Sequence, residues 1–82
     1  MTARALRLWH WRKVVSFRKR ATDAERVADA WEQKHGGRCG SMRNRARDAH
    51  RNAHFHLGAV QVLNDQFPVG DTAERDMLRG GA

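Results

Sequence analysis

The chain has 82 residues, a formal charge of +7 and a pI near 11.3, with 40% hydrophobic and 30% charged side chains. That length limits it to a single domain, residues 1–82, with a modest core. No apolar run approaches the roughly 20 residues of a membrane span, the amino terminus lacks the unbroken apolar segment of a secretory signal, and the lone cysteine, Cys39, excludes an intrachain disulfide.

A lone cysteine and no signal point to a reducing, cytoplasmic setting. The positive charge points to an anionic partner, either nucleic acid or an acidic protein. The charge is uneven: residues 1–20 carry seven Arg and Lys and no acid, whereas residues 64–82 carry four acids and two Arg.

The first predicted element is a helix over about 3–35. Val14, Phe17, Ala21, Ala24, Ala28, Trp31 and His35 recur in alternating steps of three and four, the seam of a helix that packs along another. Toward the amino terminus the seam weakens, because its next positions are His10 and Arg7. A second apolar line, Leu8, Trp11 and Val15, appears there among Arg4, Arg7, Arg12, Lys13, Arg18, Lys19 and Arg20. Thr22-Asp-Ala-Glu25 has the form of a capping box, so a kink at residues 21–22 is the alternative to one continuous helix.

Gly36, Gly37 and Gly40 end this helix, with Gly36 suited to the left-handed C-cap. Ser41 is the expected N-cap of a second helix over about 42–67, closed by Pro68. Its seam is Met42, Ala46, Ala49, Ala53, His56, Val60, Leu63 and Phe67. Gly58 inside it suggests close packing. Asp71-Thr-Ala-Glu74 predicts a short third helix over about 72–79, whose acids would return to the basic residues 4–20.

The fold class is therefore all-α: an antiparallel two-helix hairpin with the short helix packed at its open end. Folding at the glycines sets Phe17 against Val60, Ala21 against His56 and Ala24 against Ala53. It also brings Glu32 near Arg43 and Glu25 near His50. Small residues facing small ones in the middle predict a close approach, near the ~8 Å end of the usual range.

Among candidate sites, His35-x3-Cys39-x10-His50-x3-His54 offers four zinc-type ligands, two of them one helical turn apart. Against it stand the single thiolate and His54, which points outward. His54-Phe-His56 reads better as a core histidine than as catalytic. Cys39 sits in a glycine turn without a pocket, and no phosphate loop or carboxylate pair is present, so an enzyme is not expected. Off-seam apolar residues on both helices, Leu8, Trp9, Trp11, Val15, Phe55 and Val62, together with Arg12, Arg18 and Lys19, form the candidate partner-binding set. A host protein or a second copy of the chain would cover them. Backbone-directed nucleic-acid binding by the basic helix is the alternative.

Three segments, Leu8-Trp-His-Trp-Arg12, His54-Phe-His-Leu-Gly-Ala-Val-Gln-Val-Leu-Asn64 and Phe67-Pro-Val-Gly-Asp-Thr-Ala-Glu-Arg-Asp76, resemble small uncharacterised accessory proteins of tailed bacteriophages. The resemblance implies an accessory protein acting in a bacterial host cytoplasm by binding a host protein. It carries over no functional residue.

Overall fold

The computed structural model describes residues 2–68. Two helices make up the fold, α1 over Ala3–His35 and α2 over Gly40–Gln66, with no strand among the described residues. They pack side by side as a rod measuring 53 × 21 × 17 Å. The helix expected over 72–79 and its docking at the open end lie outside the described residues. Neither helix is long and apolar enough to cross a membrane.

Local chemistry explains each boundary. The Thr2 hydroxyl accepts from the Ala5 N–H at 3.1 Å and starts α1. Thr22 starts nothing: its hydroxyl donates to the Arg18 carbonyl at 3.0 Å, a bond made within a running helix, and α1 passes through the capping-box sequence unbroken. Gly36 ends α1 in the left-handed conformation (φ 76°), its N–H donating to the Glu32 carbonyl at 2.8 Å. Lys34 and His35 lie in that last turn, where the helix dipole favours positive charge.

α2 begins two residues earlier than expected, at Gly40, with Cys39 and not Ser41 at the N-cap. No side chain of its own caps it. Instead the Glu32 carboxylate accepts from the Cys39 N–H at 2.9 Å, so α1 supplies the cap across the turn. The helix closes at Gln66, before Pro68, with the Phe67 N–H donating to the Leu63 carbonyl.

The earlier start shortens the turn and slides the register by about one helical turn. Phe17 stacks on His56 (centroids 5.7 Å apart, planes 9° apart), four residues before the expected Val60. At the open end the Arg7 guanidinium donates to the Phe67 carbonyl at 2.8 Å. Counting inward from that link in sevens brings Val14 level with Val60, Ala21 with Ala53 and Ala28 with Ala46. All six are buried, and so is Arg7. Among the described residues the buried apolar core is therefore five alanines (Ala49 is the fifth) and two valines.

The wider seam is only partly used. Trp31 and His35 are exposed and stacked on each other at 4.4 Å, outside the buried ladder. Gly58 is not a close-packing site either: a Cβ built there meets nothing within 4 Å. Two stability predictions follow from this packing. Ala21→Leu, at a fully buried rung, lowers stability by roughly 1–3 kcal/mol, whereas half-buried Ala24 tolerates the same change. Gly58→Ala raises stability by roughly 0.5–1 kcal/mol through helix propensity. Thermal denaturation followed by circular dichroism measures both.

Candidate functional site

Three features flank the alanine ladder. At the turn, Arg43 bridges two acids of α1. Its Nε and Nη donate to the two Glu32 oxygens at 3.0 and 2.7 Å, and Nη also bonds Asp29. These bonds, the Arg43 ones foremost and then the Cys39 N–H, hold the Glu32 carboxyl down at about 2. The same carboxylates hold Arg43 above its ordinary range. Two turns further along, His50 Nε2 meets Glu25 at 2.6 Å. Both expected cross-helix pairs are present.

Toward the open end lies a histidine–aromatic cluster. His10 Nδ1 and His56 Nδ1 stand 2.8 Å apart. Trp9 meets both rings edge-on, Phe17 stacks on His56, and Phe55 meets His56 edge-on. Lys13 Nζ lies 5.2 Å above the Trp9 ring and the Arg20 guanidinium at the same distance above Phe17. Two Nδ1 atoms at this distance share one proton; placing a proton on each would set two N–H groups head to head. Burial first, then the charges of His10 and Lys13, keep His56 below its usual 6.5.

The third feature is a groove of about 520 Å³ beside the ladder, floored by Phe17, Ala24, Val27, Met42 and Ala49. It lies between the turn and the histidine–aromatic cluster, and Phe17 belongs to both.

The candidate partner-binding residues divide between faces. Trp9 and Phe55 meet around His56, and Val62 lies seven residues beyond Phe55 on the same side of α2; all three are exposed. Leu8, Trp11 and Val15 belong to the opposite flank of α1, with Leu8 and Trp11 half-buried and Val15 exposed. Arg12, Arg18 and Lys19 are exposed and carry no ion pair among the described residues.

The candidate zinc set His35, Cys39, His50 and His54 is not brought together. His35 bonds the Trp31 carbonyl, His50 bonds Glu25, and Cys39 lies 3.9 Å from the Ser41 hydroxyl. Among the described residues no three His, Cys, Asp or Glu side chains gather as metal ligands. Sequence reasoning missed the His10–His56 pair and the burial of Arg7. The signal for Arg7 was available, since Arg7, Val14, Ala21 and Ala28 form a strict seven-residue series. No protein-family model, no curated protein and no solved structure matches the chain.

Because the folded state holds His56 in its neutral form, the unfolded chain binds more protons below about 6.5. The stabilisation is complete above that pH and is lost as pH falls through it. The melting temperature therefore drops between pH 7.5 and 5.5 by more in the wild type than in His56→Phe. The Glu32 contribution occupies a separate window: it is complete above about 4.5 and is lost as pH falls toward about 2. Glu32→Gln removes that acid-side dependence while leaving the drop between pH 7.5 and 5.5 in place.

Proposed function

We propose that the protein is a non-enzymatic helical interaction protein that holds another protein through apolar side chains displayed outside its own core. The observation that carries this reading is an inversion of the usual packing. Small alanines occupy the buried ladder, while Trp9, Trp31, Phe55 and Phe67 are exposed, Phe55 to 68%. Large apolar side chains outside and small ones inside suit a surface that a partner completes. The net charge of +7 favours an acidic bacterial host protein or, where charge is locally balanced, a second copy of the chain.

A second reading rests on exposed Arg12, Arg18 and Lys19, which have no acidic partner among the described residues. On one long helix they suit backbone-directed contact with nucleic acid, with Trp9 available for base stacking.

Capture from bacterial lysate across a salt series separates the two. The protein-binding reading predicts retention of one defined protein that survives high salt and weakens in Phe55→Ser with the melting temperature unchanged. Nucleic-acid binding instead predicts an affinity whose logarithm falls linearly with the logarithm of salt concentration. Retention of no protein at any salt counts against the first reading. Absence of a gel shift at low salt counts against the second.

A further inference from the structure

The groove beside the alanine ladder has a rim that narrows what can fill it. Its floor is apolar, with Val27 53% exposed, and Trp31 stands 41% exposed four residues beyond Val27. The rim carries Arg20 and Asp23 from α1, and Arg45 and Asp48 from α2. Each helix thus contributes a cation followed three residues later by an anion, one turn apart on the same side. In a chain of net charge +7, these four rim charges sum to zero.

These charges are little used within the hairpin. Among the described residues Asp48 and Arg45 have no ion pair, and Asp23 has only a 4.0 Å contact with Arg26. Arg20 lies over the Phe17 ring.

We propose that this groove is the contact face between two copies of the chain, which pack floor to floor as a four-helix bundle. The proposal rests on the protein-binding reading above and specifies its partner. A uniformly acidic partner would meet Asp23 and Asp48, and a basic one would meet Arg20 and Arg45. A two-fold related copy offers each cation an anion and each anion a cation, the self-complementarity an isologous interface requires. Against the net positive charge of two copies, association is favoured at a groove whose rim charges cancel.

Size and core point the same way. The broad side of the hairpin measures 53 by 21 Å, room for the ~800 Å² per partner of a standard interface. A core of five alanines and two valines gains most from covering Phe17, Val27 and Met42, as small helical domains do by associating.

Sedimentation velocity over a concentration series tests the proposal on the full chain, with circular dichroism confirming helix content in every variant. The wild type forms a dimer, and Val27→Glu, an exposed position, raises its dissociation constant at least tenfold. The decisive arm uses two rim variants, Arg20→Asp with Arg45→Asp, and Asp23→Arg with Asp48→Arg. Each is monomeric alone, and an equimolar mixture forms a heterodimer. A wild type that stays monomeric up to about 1 mM, where association would be weaker than about 4 kcal/mol, overturns the groove proposal. So does a dimer indifferent to Val27→Glu but lost in Phe55→Glu. In that second outcome the protein-binding reading stands on the aromatic face, and in the first it is decided by the lysate capture.

Discussion

The structure depends on how closely two helices can lie. Ala21, Ala28, Ala46 and Ala53 fill the buried seam with small side chains, and the larger apolar side chains stand on its flanks. The exposed tryptophans, the groove floored by Phe17, Val27 and Met42, and the stacking of Trp31 on His35 all follow from that one constraint. A wider core of leucines would have absorbed the same residues and left a smooth hairpin.

Polar contacts then divide the labour along the rod. At the turn Glu32 has two functions, capping α2 through the Cys39 N–H and pairing with Arg43. It thereby ties the end of one helix to the start of the next. At the open end Arg7 places a positive guanidinium on the Phe67 carbonyl, at the carboxyl end of α2 where the helix dipole favours it. Between them, His10 and His56 share a proton under a lid of aromatic rings. Each contact joins α1 to α2 at a different height, so together they act as spacers along a seam that is otherwise almost featureless.

The same arrangement shapes the functional reading. Both faces beside the ladder are apolar in part, but they differ in charge. The groove side is neutral at its rim, whereas the outer surface of α1 carries Arg12, Arg18 and Lys19. One surface suits a like-charged copy of the chain and the other an anion.

The sequence by itself determined the two helices, their antiparallel pairing, the left-handed glycine at Gly36, and the Glu32–Arg43 and Glu25–His50 pairs. Those follow from periodicity, from the special conformation that only glycine takes without strain, and from charges placed symmetrically about the turn. The vertical register read from the sequence, with Phe17 against Val60, differs by about one turn from the one the fold adopts. Sliding an alanine ladder by one turn exchanges alanine for alanine, so competing registers differ little in burial. Only the folded structure chose, through the shortened turn at Gly40, the Phe17–His56 stack and the long-range contacts of Arg7 and His10. Their partners lie 46 and 60 residues away in the chain, beyond the reach of any local pattern.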